Sequence, residues 1–236
     1  MRSREAASPA QTGGCFPQAA RTWEQEKTMR SISTPISDDV IRELKVGEPV
    51  LLSGTLVTGR DAAHKWMIET FVKQAREPKG DDLQVYEELK KLLNGSVIYH
   101  CGPVVSGLDT KQYKFVAAGP TTSIREEPYQ ADVMKHFNVK GVIGKGGMGA
   151  KTLKGCQEVP FVYFHAIGGA ASYIAQSVQK VLGVYKMEFG VPEAMWVIEV
   201  RDFPVVVTMD AHGGSQHAVI DESSKAVLDG LLAQPY

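Results

Sequence analysis

The sequence contains few cysteines and no pair of them at the spacing of a metal site. Only 3 of its 236 residues are cysteine, at positions Cys15, Cys101 and Cys156, and no two of them form a C-x-x-C motif. Zinc sites and self-contained iron–sulfur sites need closely spaced cysteines, so neither is expected within this chain. Widely spaced, odd-numbered cysteines favour reduced thiols, and we predict a cytoplasmic protein.

Net charge and long hydrophobic runs are also lacking. The chain carries 26 basic and 27 acidic residues, a formal net charge of −1, so neither a nucleic-acid surface nor a membrane surface is indicated. No apolar run reaches the roughly 18 residues that a membrane-spanning helix needs. With 43% hydrophobic residues, a soluble chain with one core-forming domain of about 200 residues is expected.

The first 28 residues differ in composition from the rest. They are rich in Ala, Gln, Ser, Thr and charged residues, and they show neither a hydrophobic period nor the apolar core of a secretory signal. We predict that residues 1–28 are a disordered N-terminal extension and that residues 29–236 form one domain.

Strand and helix patterns alternate through residues 29–236, which predicts an α/β fold with mixed, interleaved sheets. The predicted strands cover 30–36, 49–59, 96–102, 113–119, 140–144 and 160–168, and two further strands lie within 194–213, separated near residues 202–204. The predicted helices cover 38–44, 61–76, 81–93, 126–137, 151–159, 170–182 and 221–233. Asp61 is the predicted N-cap of the second helix, and a bulge is expected at Gly54.

The stretch "GVIGKGGMGAKT", residues 141–152, raises the question of nucleotide binding. Gly144, Gly146 and Gly149 satisfy the spacing G-x-G-x-x-G after an apolar run. A dinucleotide site also needs an acidic residue about 20 positions later, at the end of the next strand. That strand, "PFVYFHAIGG", ends in histidine and glycine, and Ala150 replaces the glycine that precedes the lysine of a phosphate-binding loop. A nucleotide is therefore disfavoured.

Polar side chains recur where predicted strands end and helices begin. These corners are "TLVTGRDAAH" with Arg60, "GPTTSIR" with Thr121, Thr122, Ser123 and Arg125, "GKGGMG" with Lys145, and "HAIGGAAS" with His165. Ligands of α/β sheets gather beyond the carboxyl ends of the strands, and helix N-termini there favour anions. Two arginines and a lysine suit a small dicarboxylate. The alternative is that Arg60 and Arg125 are ordinary surface residues and that the glycines only form turns.

Taken together, "SGTLVTGRDAAH", "YHCGPV", "GPTTSIR", "GKGGMG", "IGGAA", "MWVIEVRDFP" and "DAHG" resemble one family. This is the β subunit, or C-terminal domain, of class I (iron–sulfur) fumarases and L(+)-tartrate dehydratases, and the likeness runs from about residue 31 to about residue 213. The resemblance implies a swivelling β/β/α domain with flanking helices. It also implies a hetero-oligomer in which a partner α subunit, not this chain, carries a 4Fe–4S cluster.

The resemblance implies roles for six residues in binding a dicarboxylate. Arg60, Arg125 and Lys145 match substrate-binding residues, and Thr121 matches the base that takes the proton from the carbon next to a carboxylate. Thr122 and Ser123, with Ile124, would line the same corner, partly through backbone N–H groups. His64 matches a family histidine and is interpreted as structural or as a support for the residues that contact the substrate. A threonine hydroxyl is a weak acid, so Thr121 needs activation by Arg125 or Lys145, or it only relays the proton.

The function implied is that of a hydro-lyase, active only with its α subunit, which hydrates fumarate reversibly to L-malate. Dehydration of L(+)-tartrate to oxaloacetate is the alternative within the same enzyme class, since the carboxylate anchors would be shared. A non-catalytic module that binds a dicarboxylate is the alternative from another class, and a nicotinamide or nucleotide enzyme is a third.

Overall fold

The structure is a computed structural model that describes residues 29–233. The predicted disordered extension, residues 1–28, lies outside the described residues. Its disorder and the domain boundary at residue 29 remain predictions.

Strands and helices alternate along the described chain. The strands are β1 (Arg30–Ser33), β2 (Pro49–Thr58), β3 (Val97–Tyr99), β4 (Val104–Ser106), β5 (Lys114–Ala117), β6 (Gly141–Gly144), β7 (Val162–His165), β8 (Val178–Tyr185) and β9 (Met195–Met209). The helices are α1 (Asp38–Glu43), α2 (Asp61–Met67), α3 (Asp82–Leu93), α4 (Glu127–Phe137), α5 (Ala150–Glu158), α6 (Ala171–Ile174) and α7 (Gln216–Leu232). A π-helical turn, Ile68–Val72, extends α2, and a 3₁₀ turn, Ser123–Glu126, precedes α4.

The strands form a seven-stranded mixed sheet in the order β1-β2-β3-β6-β7-β9-β8. The strands β2, β3, β6 and β7 run parallel to one another, whereas β9 is antiparallel to both β2 and β7. The pairing of β9 with β2 closes β2, β3, β6, β7 and β9 into a barrel. A separate hairpin is formed by β4 and β5. The prediction of an α/β fold with mixed, interleaved strands is confirmed.

Two hydrophobic clusters lie on the two sides of the barrel wall. Alternation along each strand directs one set of side chains inward, where Leu52, Phe164 and Trp196 are fully buried. The other set faces helices α2 to α5, and Trp66 and Tyr163 belong to this outer cluster. The helices therefore cover the outer side of the parallel strands.

Two strand irregularities have identifiable causes. Gly54 lies in β2 with φ +104 at a register shift against β9, which confirms the predicted bulge. Residues 194–213 contain the single strand β9, not the two strands predicted. Asp202 takes φ +50 inside β9, and its N–H donates to the Ser53 hydroxyl at 3.0 Å. Aspartate tolerates the left-handed conformation, so β9 bends there without ending.

Residues 170–182 were predicted to form a helix of small residues, and that prediction is wrong. Only α6 and a short 3₁₀ turn, Ala175–Ser177, are helical, and β8 then begins at Val178. Pairing with β9 outweighs the local helical spacing, because "VQKVLGVY" supplies β-branched residues to an edge strand. The last helix, α7, begins at Gln216 and not at Asp221, since the Ser215 hydroxyl accepts the N–H of Ala218 at 3.3 Å and caps it.

Among the described helices, none combines the length and the apolar character needed to cross a membrane.

Candidate active site

The parallel strands deliver polar residues to one rim of the barrel. Arg60 follows β2, His100 follows β3, Lys145 follows β6 and His165 ends β7. Because β2, β3, β6 and β7 are neighbours and parallel, their carboxyl ends meet at the same edge. Three of the predicted corners are thus brought together, as expected from strand order.

The fourth corner, residues 119–123, is attached to this rim by main-chain hydrogen bonds. The N–H of Thr121 donates to the carbonyl of His100 at 2.7 Å, and its hydroxyl donates to the same carbonyl at 3.0 Å. The N–H of Lys145 donates to the carbonyl of Thr121 at 3.1 Å, and the N–H of Ser123 donates to the carbonyl of Lys145 at 3.1 Å. Thr121 therefore lies half-buried between the ends of β3 and β6.

Arg60 is oriented by the segment that precedes β9. Its guanidinium forms an ion pair with Glu193 at 3.1 Å and donates to the carbonyl of Pro192 at 3.4 Å. Glu193 also accepts the N–H of Ala62 at 3.2 Å, in the first turn of α2. A side chain at Gly102 would overlap the Arg60 guanidinium, so this glycine of "YHCGPV" allows the arginine to lie against the segment that follows β3.

Arg125 is exposed and forms an ion pair with Asp61 at 3.3 Å. Asp61 was predicted to be the N-cap of α2, but it is the first residue of the helix. The N-cap is Arg60, which makes no side-chain cap bond. The carboxylate of Asp61 therefore pairs with Arg125 instead of capping α2.

Ser123 was predicted to line the substrate corner, and the structure places its side chain elsewhere. Its hydroxyl is fully buried, accepts from the Tyr163 hydroxyl at 2.8 Å and lies 2.9 Å from Nδ1 of His100. Nε2 of His100 lies 3.2 Å from Oε1 of Gln130. A Cβ on Gly144 would overlap the Ser123 hydroxyl. Ser123 thus supports the corner from inside the fold.

The other predicted residues of the first two corners differ in exposure. Thr122 and Ile124 are exposed, and Thr122 pairs with Lys145 through a main-chain bridge. His64 is fully buried, and its Nδ1 lies 3.0 Å from the carbonyl of Arg60. Burial lowers the pKa of the His64 imidazole, so it stays neutral at physiological pH. This geometry agrees with the structural interpretation of His64.

The glycines around Lys145 allow close packing at the rim. Gly146 and Gly147 have φ values of +78 and +77, which favour glycine. A side chain at Gly147 would overlap the ring of His217. A Cβ on Gly168, in "HAIGGAAS", would lie 3.5 Å from Cδ of Lys145. The lysine side chain therefore lies alongside the glycine pair that follows β7.

The N-terminus of α5 is occupied by a carboxylate of the chain itself. Glu127 accepts the N–H groups of Gly149 at 2.8 Å, Lys151 at 2.9 Å and Thr152 at 3.1 Å, and the Thr152 hydroxyl at 2.6 Å. These are the donors that a phosphate would need at a helix N-terminus. The G-x-G-x-x-G spacing therefore ends in an internal helix cap.

Two acidic residues of the site have no counterpart in the sequence-based prediction, namely Glu126 and Glu193. Glu126 is fully buried beside Asp61. Burial and the neighbouring Asp61 raise the pKa of the Glu126 carboxyl to about 9. The hydrogen bond from Glu126 is the main cause that lowers the pKa of Asp61. The local pattern "SIREEPY" gives no sign of this burial, since a charged run usually faces solvent.

The cysteines of the described residues do not fit an iron–sulfur cluster. Cys101 is buried in the barrel interior and Cys156 in the outer cluster. Burial raises the pKa of each thiol to about 12. The two thiols lie in different clusters, whereas an iron–sulfur cluster needs several cysteines at one place. Between residues 29 and 233, no group of three or more Cys, His, Asp or Glu side chains could hold a metal ion.

Comparison with known proteins supplies the family. A class I fumarate hydratase of Geobacillus stearothermophilus, provisionally so named, is 47% identical over 201 residues, which are 85% of this chain and 36% of that protein. The chain thus spans about a third of that relative's length. The L(+)-tartrate dehydratase subunit beta of Escherichia coli is 36% identical over 185 residues, 78% of this chain and 84% of that subunit. Residues 5–220 match the family described as Fumarase C-terminus. The chain belongs to this Fumarase C-terminus family.

Proposed function

We propose that this chain is the β subunit of a hydro-lyase that hydrates fumarate reversibly to L-malate. The observation that carries the proposal is the meeting of Arg60, Thr121 and Lys145 at one rim of the barrel, with Arg125 at the adjacent turn. The name of the Geobacillus relative supports fumarate as the substrate.

The cationic groups of the rim suit a dianion. The guanidinium groups of Arg60 and Arg125 are planar and can donate two parallel hydrogen bonds to a carboxylate. Each is oriented by an ion pair with an acidic residue of the chain. Lys145 adds a compact charge after β6, where its main chain pairs with that of Thr121. We assign one substrate carboxylate to the arginines and the other to Lys145. Thr122 lines the exposed side, and Ser123 acts through its backbone and its internal hydrogen bonds.

In the dehydration direction, a proton must leave the carbon next to a carboxylate. Thr121 is the proposed acceptor, either directly or as a relay to another group. Its hydroxyl donates to the His100 carbonyl at 3.0 Å, which fixes the rotamer and leaves the oxygen lone pairs available. Stabilisation of an alkoxide-like oxygen needs a nearby cation, and Lys145 is held to Thr121 through the main chain.

A partner α subunit is part of the proposal. The name "subunit beta" of the Escherichia coli relative implies a second subunit for that protein. A 4Fe–4S cluster on the partner would supply Lewis-acid polarisation of the substrate hydroxyl and carboxylate. The buried, separated cysteines of the described residues support placing the cluster on the partner.

Dehydration of L(+)-tartrate to oxaloacetate is the second candidate function. The observation in its favour is coverage, since this chain matches 84% of the Escherichia coli tartrate dehydratase subunit. The two substrates share both carboxylates and differ by a hydroxyl, which discriminates strongly only where a polar group is dedicated to it.

Anaerobic co-expression with a partner α subunit, followed by turnover assays on fumarate and L(+)-tartrate, tests the proposal. Hydration of fumarate by the complex, and none by this chain alone, is the expected result. Turnover of tartrate alone would assign the same site to the second candidate function, dehydration of L(+)-tartrate. Turnover of neither, with dicarboxylate binding to the isolated chain, would identify a non-catalytic binding module.

A further inference from the structure

Three carboxyl groups lie close to Arg60 and Arg125, the two arginines of the site. Asp61 pairs with Arg125, and Glu193 pairs with Arg60. The third, Glu126, is 0% exposed. Within residues 29–233, no N–H or O–H group of another residue reaches either of its oxygens. Glu126 is therefore a buried carboxyl without a donor.

A buried carboxylate that accepts no hydrogen bond is strongly disfavoured, whereas a neutral carboxylic acid needs only an acceptor for its proton. Asp61, which faces Glu126 from α2, is the acceptor that we assign to this proton. The raised pKa of Glu126, about 9, and the lowered pKa of Asp61 agree with a proton held on Glu126.

The charges around Glu126 come from three elements. Asp61 faces it from α2, Arg125 belongs to its own turn, and Glu193 precedes β9. When Glu126 is neutral, the remaining negative charges balance those of Arg60 and Arg125. An ionised Glu126 would leave an excess of negative charge behind the place where a dianion is proposed to bind.

His64 also faces Asp61, from the first turns of α2. Burial lowers the pKa of its imidazole, so it adds no positive charge at neutral pH. No cation other than the two arginines contributes to the balance among the described groups that face this pair.

We propose that Glu126 is a positioning residue: as a neutral acid it donates a hydrogen bond to Asp61, and Asp61 holds Arg125 for the substrate carboxylate. The final link, to substrate, rests on the proposed function. The first link, the neutral buried acid, is a property of the chain itself.

Denaturant unfolding of the 236-residue chain between pH 5 and pH 9 tests the first link. A carboxyl with a pKa of about 9 when folded and about 4.3 when unfolded binds one more proton in the native state across this window. Its contribution to stability is therefore lost as pH rises. The unfolding constant of the wild type, relative to Glu126→Gln, is expected to increase up to tenfold per pH unit.

Glu87→Gln is the matched control, because Glu87 is exposed on α3 and its substitution leaves the buried cluster intact. The ratio of the unfolding constants of the wild type and Glu126→Gln could prove as independent of pH as the corresponding ratio for Glu87→Gln. That result would show that Glu126 is not a neutral acid in the folded chain, and it would overturn the proposal.

The second link is tested in the complex with the α subunit, by the KM for fumarate and for L(+)-tartrate. Glu126→Gln keeps a donor for Asp61 and cannot ionise, so its KM is expected to stay within about threefold of the wild type. Glu126→Leu removes the donor, and its KM is expected to rise about tenfold, with a smaller change in kcat. Above about pH 9, the KM of the wild type should rise further while that of Glu126→Gln does not.

The possible outcomes separate the two ideas. If the KM values of the wild type and of Glu126→Gln rise in parallel above about pH 9, the positioning role is overturned, even if the stability titration gives the expected result. If Glu126→Leu does not fold, the comparison of KM against pH for the wild type and Glu126→Gln tests the positioning role without it. A complex that turns over neither substrate would contradict the proposed function, and the KM of the complex would then be replaced by the affinity of the chain for L-malate at the same pH values.

Discussion

Lys145 donates its main-chain N–H to the carbonyl of Thr121 at 3.1 Å. The residue proposed to supply positive charge and the residue proposed to accept a proton are thereby fixed through the backbone. The sequence separates them by more than twenty positions, and the strand order of the barrel brings them together.

Lys145→Ala is expected to reduce kcat/KM about tenfold to a hundredfold, because a charged hydrogen-bond donor to the substrate is lost. Turnover by the complex gives the measurement. Lys154→Ala is the control, since Lys154 is an exposed lysine of α5 that pairs with Glu158. Equal losses in the two variants would refute a specific role for Lys145.

Arg60→Lys is expected to lower kcat/KM about tenfold or more, although the charge is retained. The lysine ammonium lacks the planar fork that contacts both Glu193 and Pro192. Arg201→Lys, at an exposed position of β9, should be close to neutral. Full activity of Arg60→Lys would mean that charge alone, without fork geometry, is used at this position.

Gly144→Ala is expected to destabilise the chain by about 1–3 kcal/mol or more, because the added Cβ overlaps the Ser123 hydroxyl. Chemical denaturation measures the change. Gly230→Ala, in the exposed helix α7 with open space around the site, should instead stabilise by about 0.5–1 kcal/mol. An unchanged free energy of unfolding for Gly144→Ala would show that the clash with the Ser123 hydroxyl is relieved without cost.

Glu127→Ala is expected to cost about 1–2 kcal/mol of unfolding free energy, because three N–H groups at the start of α5 lose their acceptor. The matched control is Glu222→Ala on the exposed face of α7, which should change stability by less than about 0.5 kcal/mol. An unchanged denaturation midpoint for Glu127→Ala would contradict the internal cap.

The alternation of strands and helices was predictable because most elements carry a clear period. The capped start of α1 at Ser37 and the bulge at Gly54 follow from local residue chemistry. The helix predicted over 170–182 failed because local spacing does not reveal pairing with β9. Closure of the barrel depends on contacts between β2 and β9, which lie far apart in sequence.

The site was predictable in its outline and less so in its supporting residues. Arg60 and Lys145 follow strands at glycine-rich corners, which is a local signal. The inward direction of the Ser123 hydroxyl depends on His100, which follows β3, and on Tyr163 in β7. The burial of Glu126 depends on α2 packing over it, so no local pattern could have indicated it.

The most direct measurement compares turnover by the complex containing the wild-type chain, Thr121→Ala or Thr121→Ser. Thr121→Ala is expected to lose about a hundredfold to ten-thousandfold in kcat, whereas Thr121→Ser, which keeps the hydroxyl, should retain most of the activity. A Thr121→Ala complex as active as the wild type would contradict the assignment of proton transfer to this chain.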